Sequence, residues 1–565
     1  MRTVFFTLVV LLLPLAGSLS SATQIPRPKA DLMLFNGHIW TGDKTRPWVE
    51  AVAIDHNIIS QSGTNESVGP LAMPQTRLID LGGRFVMPGI NDAHIHFLGG
   101  SLGLFQVNLT GAKSLDELQK RVADFARANP REAWITGSGW EYSALPGGRL
   151  PTRQDLDEVV SDRPVCLASY DGHTCWANSK ALQLAGITAQ SKFDGYGEIV
   201  VDKKTGQPTG VFKEGAQRLV RSAIPEPSTD RKLEALRRGM KMAAALGITS
   251  IQNASGSEAE VDLYQALLAR GELTLRVSFA LSVGPQTTEQ ELERIRQLSS
   301  YYSNERLRVR AIKIVLDGVI ETHTAAMLEP YSDDSTTSGK PVYTQQQLNK
   351  IVAWADRARL QVLIHAIGDR AVRMALDAFE NARKVNGIRD SRFRIEHIET
   401  VAAADIPRFA KLGVIASMMP VHADPGTNDV WLPAIGEERA SRGFAWRSLQ
   451  KSGARLVFSS DWPAVINVDP IRGLHTAVTR QTVEGQPAGG WLPEQRLSLE
   501  EALEAYTAAG AFASFEERTK GTITSGMRAD LVALDADPFK LAPSDLHRLR
   551  VALTVFDGRV IYQKP

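Results

Sequence analysis

RVRAIKIVLDG (308–318), QQQLNKIVAWADRARL (345–360), QVLIHAIGD (361–369), RAVRMALDAFENARKV (370–385) and RFRIEHIE (392–399) follow one another in the middle of the chain. The first, third and fifth are short apolar runs of β-branched and aliphatic residues. The second and fourth repeat their apolar side chains at helical spacing. This strand, helix, strand cadence is that of βα units on a parallel sheet. ADIPRFAKLG (404–413) and VIASMM (414–419) continue it. Enough units for a (β/α)8 TIM-type barrel fit between about Gly89 and Gly510, so the expected fold class is α/β.

The two ends have another texture. DLMLFNGHIW (31–40), VEAVAIDHNIIS (49–60) and RLIDLGGRFVMP (77–88) are β-like pieces broken by Gly, Asn and Asp, and TITSGMRADLVALD (522–535) and LTVFDGRVIYQ (553–563) match them. Neither set has enough strands to bury a stable face alone. The expectation is one composite β-sandwich from residues 30–88 and 517–565, flanking a barrel of residues 89–516. Gly-rich loops and short strands over about 133–225 predict an insertion covering the barrel mouth.

Lys+Arg 64 against Asp+Glu 63 leaves no strong field to attract nucleic acid or an acidic membrane, so the expected partner is a small molecule. A homo-oligomer is left open. MRTVFFTLVVLLLPLAGSLSSA (1–22) has a basic start, an apolar stretch and small residues before Ala22, the order of regions in a cleaved export signal. Its apolar stretch falls short of the ~20 residues that span a bilayer, so a secreted or periplasmic protein with no stable membrane span is expected. The chain has two cysteines, Cys166 and Cys175, too few for a thiolate-rich structural zinc site. A disulfide between them is left open.

The chemistry is read from strand ends. His94 and His96 close the run RFVMPGINDAHIH (84–96), and Lys313, His365, His397 and Asp461 each close a strand of their own. Barrel enzymes keep their active sites at that C-terminal face. Neutral imidazoles with a carboxylate suit zinc and related divalent ions, and a catalytic sphere keeps one position for water.

These motifs, with GSGWEYS (137–143), DRPVCLASYDGHTCWANSKAL (162–182), GQPTGVFKEGA (206–216), DGVIETHTAAMLEPY (317–331), HAIGDRAV (365–372) and SSDWP (459–463), resemble the amidohydrolase superfamily. Within it the chain is similar to the amidohydrolase-3 or YtcJ-like group, which includes N-substituted formamide deformylase-like enzymes. The resemblance implies one or two divalent ions, zinc first among them. It places His94 and His96 on one ion, His365 and His397 on the other, a carboxylated Lys313 between them, and Asp461 as ligand and proton acceptor. An unmodified Lys313 at a one-ion site stays open. It also marks Asp171, His173, Trp140 and Trp176 as candidates to shape the substrate pocket. Glu214 is a further carboxylate in a family-like segment. Where many relatives carry Gln before a proline, this chain has Ser417-Met418-Met419-Pro420, and nearby His422 is the candidate to replace the lost amide as a substrate contact.

The function these features imply is metal-dependent hydrolysis of a C–N bond other than a peptide bond, in an amide, formamide or cyclic amide. Ester, lactone or phosphoester hydrolysis suits the same site. A binding or regulatory protein that keeps the fold without turnover is the alternative of another class.

Overall fold

The computed structural model describes residues 30–145, 149–170, 172–195, 197–464 and 468–564. The leader read at residues 1–22 lies outside them. Among the described residues no helix is long and apolar enough to cross a membrane.

Eight parallel strands form the central sheet: β1 (Ile90–Ile95), β2 (Ile248–Asn253), β3 (Arg276–Ser282), β4 (Leu307–Val315), β5 (Gln361–Ala366), β6 (Arg394–His397), β7 (Ile415–Met418) and β8 (Arg455–Phe458). They lie side by side in chain order, the arrangement of successive βα units in a barrel. The helices between them bury one stripe each. In Gln345–Arg357, for example, Leu348, Ile351, Val352 and Ala355 face inward, and a capping box of Thr344 with Gln347 satisfies the first turn.

Closure between β8 and β1 is made beyond the strand ladder. Asp461 N–H donates to the His94 carbonyl and His96 N–H to the Trp462 carbonyl, each at 2.8 Å. Buried Asp92 accepts from Ser460 N–H at 3.1 Å and from its hydroxyl at 2.5 Å. The contacts that close the barrel thus also set Asp461 beside His94 and His96.

The chain ends build two further sheets. One holds residues 30–35, 51–55, 58–63 and 72–80. The other has six strands, with Phe85–Pro88 hydrogen-bonded to Leu531–Leu534 at its centre. Leu32, Leu34, Val52 and Ile54 of the first pack with Ile39, Val86, Leu531 and Val555 of the second in one apolar layer. The six-stranded sheet is tied to the barrel by a buried ion cluster. Arg276 of β3, 3% exposed, donates from Nε to Asp530 at 2.7 Å and from Nη2 to Asp557 at 2.7 Å, and Arg306 also reaches Asp557.

The insertion is a sheet of residues 107–108, 135–140, 165–169, 174–177, 208–214 and 197–201. It begins earlier than the expected boundary at 133. Val107–Asn108 is its edge strand, and the helix Leu115–Ala128 packs Leu118 and Val122 into its core with Ile135 and Leu167. In sequence that strand and helix read as another βα unit; only the sheet they pair with separates them from the barrel.

Asp530→Ala leaves the Arg276 guanidinium buried and underpaired, so unfolding in urea is expected to show a loss of about 3–5 kcal/mol. A loss below ~1 kcal/mol, the scale of an exposed pair, would show that the cluster does not hold the sheet to the barrel.

Candidate metal centre

At the C-terminal end of the barrel the strand-end residues converge. His94 Nε2 lies 3.3 Å from Lys313 Nζ and 3.4 Å from Asp461 Oδ1, and His96 Nε2 lies 3.2 Å from that same oxygen. The His397 ring is 5.0 Å from that of His94 and 4.4 Å from that of His365, centroid to centroid. One ligand atom each from His94, His397 and Asp461 falls within a mutual 4.8 Å.

Backbone strain helps to aim two of these groups. Arg394 and Glu396 of β6 project into the barrel, where they meet residues of β1, β2 and β7. Strand alternation would send the next residue, His397, outward. Its φ of +75° breaks the alternation and turns the imidazole in, and Asp461 has a φ of +55°. Such conformations cost of order 1–3 kcal/mol each in a non-glycine residue and persist where the surroundings impose them.

The charge states follow from burial. Burial first, then the Lys313 charge, pushes His94 down to about 3 and His365 to about 4, and His397 also lies well below the usual imidazole value. All three are shifted towards the neutral form that a ligand must take. Burial opposes ionisation of Asp461, but His94, His96 and His422 hold it well below the usual carboxylate range. Lys313 is lowered by burial, against the pull of Glu396 and Asp461.

The residues fit a divalent cation. Both ring nitrogens of His397 and Asp461 Oδ1 are buried without a hydrogen-bond partner. Unsatisfied polar atoms of this kind cost about 1–3 kcal/mol each, a penalty that coordination would remove. Two imidazoles and a carboxylate are a donor set that zinc takes readily. His94, His96, His397 and Asp461, with His365 and Lys313 alongside, are the side chains that would hold it.

Several supports were not singled out from the sequence. His94 Nδ1–H donates to Glu396 at 2.6 Å, leaving Nε2 to face Lys313 and Asp461. Burial raises the Glu396 carboxyl, yet Arg394 and then His94 bring it down to about 2. Ser255 Oγ lies 3.1 Å from His96 Nδ1, and His365 Nε2 donates to the Gly318 carbonyl at 3.2 Å. Asp317 accepts from the backbone N–H of Ala326, Ile367 and Gly368, joining the loops after β4 and β5. Glu396 and Asp317 lie inside quoted motifs, Glu396 within β6 and Asp317 two residues past the end of β4.

Comparison with known proteins places this arrangement. The model of the amidohydrolase family matches residues 77–562. The chain belongs to the amidohydrolase family. It is 30% identical to the putative amidohydrolase YtcJ of Bacillus subtilis, over 94% of this chain and 98% of that protein. It is 29% identical to N-substituted formamide deformylase of Arthrobacter pascens, again over 94% and 98%. The crystal structure of an uncharacterized metal-dependent hydrolase from Pyrococcus furiosus superposes with a TM-score of 0.73 at 30% identity, covering 90% of this chain and all of that one. The YtcJ-like group of metal-dependent hydrolases is therefore the chain's place within the family, and the fold is the amidohydrolase barrel.

The substrate candidates divide. His422 stands at the cluster, Nε2 3.5 Å from Asp461 Oδ2 and Nδ1 3.5 Å from Glu399, whose other oxygen accepts from Trp431 Nε1 at 2.9 Å. Trp140 and Trp176 are corrected: both are fully buried in the insertion's own core, edge to face at 6.1 Å. Their indole N–H groups bond the carbonyls of Leu167 and Thr152, so these side chains present no face to a substrate. A large aromatic in a Gly-rich segment reads alike as pocket wall or as core, and packing decides. His173 pairs with Glu214 at 3.1 Å, and Asp171 lies outside the described residues.

Glu396→Gln keeps the shape but weakens the acceptor that orients His94. Affinity for Zn(II), read by competition with a chelator, is expected to fall roughly 10- to 100-fold. Unchanged affinity would remove Glu396 from the centre's support.

Proposed function

We propose that the protein hydrolyses a carbon–nitrogen bond other than a peptide bond, in an amide, formamide or cyclic amide of small size. One or two divalent ions, zinc first among them, would be its cofactor. The observation that carries this reading is the buried set of neutral imidazoles around an ionised Asp461, with ligand atoms that lack partners. The relative named N-substituted formamide deformylase supports the bond type.

A divalent ion bound there supplies Lewis acidity and lowers the pKa of water from ~15.7 towards ~7. Asp461, held ionised, takes the proton of the attacking water and returns it to the leaving nitrogen, which departs as an amine. His422, braced by Glu399 and next to Asp461, is the side chain we assign to the carbonyl oxygen as charge develops on it. Lys313 has two readings. Its buried amine, shifted towards the neutral form, can add carbon dioxide with loss of a proton, giving a carbamate with two anionic oxygens. Unmodified, it stays a cation beside Asp461 and Glu396.

The basic, apolar and small-residue order of residues 1–22 supports export, so we place the mature enzyme in a secreted or periplasmic setting.

Asp461→Asn is expected to retain most of the bound metal while turnover falls roughly 100-fold or more, the scale of positioned acid–base catalysis. Metal analysis and a panel of amides, N-formyl compounds, lactones and esters provide the measurement. Hydrolysis confined to the esters and lactones would overturn the C–N assignment, and activity indifferent to both chelator and Asp461→Asn would overturn the mechanism.

A further inference from the structure

Cys166 and Cys175 are the chain's two cysteines, and they sit on neighbouring antiparallel strands of the insertion, Val165–Ser169 and Thr174–Ala177. In that register Cys166 opposes Ala177 and Cys175 opposes Ala168, so the two are diagonal neighbours on one face of the sheet. The other face carries Leu167 and Trp176 into a separate core. Both sulfurs are buried among Phe212, Leu182, Ala181 and Val220, and they lie 2.7 Å apart.

Non-bonded heavy atoms of ordinary size rest roughly 3.5 to 4.0 Å apart. A disulfide brings its sulfurs to ~2.05 Å. The pair therefore stands inside van der Waals separation and a short closure from covalent distance. The cluster around them is apolar, and Cys166 together with burial raises the Cys175 thiol well above its ordinary value, against the weaker pull of Arg221. Once buried the pair is a poor nucleophile towards outside reagents, and the product the geometry accommodates is a bond between the two sulfurs.

We propose that Cys166 and Cys175 form an intramolecular disulfide that staples the hairpin of the insertion. The oxidant is a small or protein disulfide. One cysteine attacks it and displaces one thiolate, forming a mixed disulfide. The second cysteine then displaces the other thiolate, so the protein loses two protons and two electrons and the oxidant is released as two thiols. The bond forms while the strands are still accessible to the oxidant. Its effect falls on the turn joining the two strands, which carries His173, and on the strand Pro208–Glu214, which pairs with Thr174–Ala177 and carries the His173 partner Glu214 at a φ of +50°. The staple fixes the end of the insertion where that pair is built.

The test uses the full-length protein refolded with a mixture of oxidised and reduced glutathione, then denatured and treated with an alkylating agent. The expected wild-type product takes up no alkyl group, has lost two hydrogens in intact mass, and yields one proteolytic fragment linking Cys166 to Cys175. Its melting temperature falls when reductant is added, whereas that of the C166A/C175A variant, lower to begin with or not, is insensitive to reductant. Two alkylated thiols, bound glutathione or a linkage between two chains would overturn the proposal. A linked fragment with no thermal response to reductant would overturn the stapling role.

Discussion

The centre of the barrel is organised by one ion pair shielded from solvent, Arg394 with Glu396. Two charges taken out of water carry a desolvation penalty of several kcal/mol each, repaid only when nearly every lone pair and N–H finds a partner. Here they do. Glu396 accepts from Arg394 and from His94, and the remaining guanidinium N–H groups reach Gln252, the Ala93 carbonyl and Ser417. One side chain therefore links β6 to β1, β2 and β7. The cost of an unpaired charge at that depth holds the strands in a single relation to one another, and the His94 ring takes its orientation from the same pair. A rigid frame of this kind is what lets His397 and Asp461 keep strained backbones a few residues away.

A second constraint acts at the margin of the barrel. Closure between β8 and β1 depends on Asp92 and on backbone bonds from Asp461 and His96, which are themselves residues of the candidate centre or their neighbours. The site is thus part of the seam that completes the barrel. Changes that weaken the seam would be felt as chemistry, and changes to the ligands would be felt as stability.

The barrel was legible because its signals are local. Apolar runs, helical spacing and a ligand at each strand end can be read in windows of ten residues, and His94, His96, Lys313, His365, His397 and Asp461 stand together in the structure. What escaped reading depends on partners far away in the chain. Glu396 and Arg394 sit in RFRIEHIE, but their pairing with His94 exists only once β6 faces β1. His397 follows two inward residues, and its own inward aim comes from a φ that no alternation pattern encodes. Val107–Asn108 and Leu115–Ala128 have the cadence of a barrel unit and belong to the insertion's sheet. Trp140 and Trp176 carry no local mark that separates a pocket wall from a core.

The six-stranded sheet also sets when the molecule can be finished. Phe85–Pro88 finds its antiparallel partner only in Leu531–Leu534, which in turn needs Val551–Phe556 beside it. A chain emerging from the ribosome makes the first of these strands early and must carry it with one edge unpaired until residues 531–556 have been made. Pairings of such sequence separation are slow to close, because the entropy of the intervening loop is lost before the contact is gained. Completion of the sheet is thus deferred until that segment exists, and a chain cut short of it would present an exposed strand edge, a ready template for aggregation.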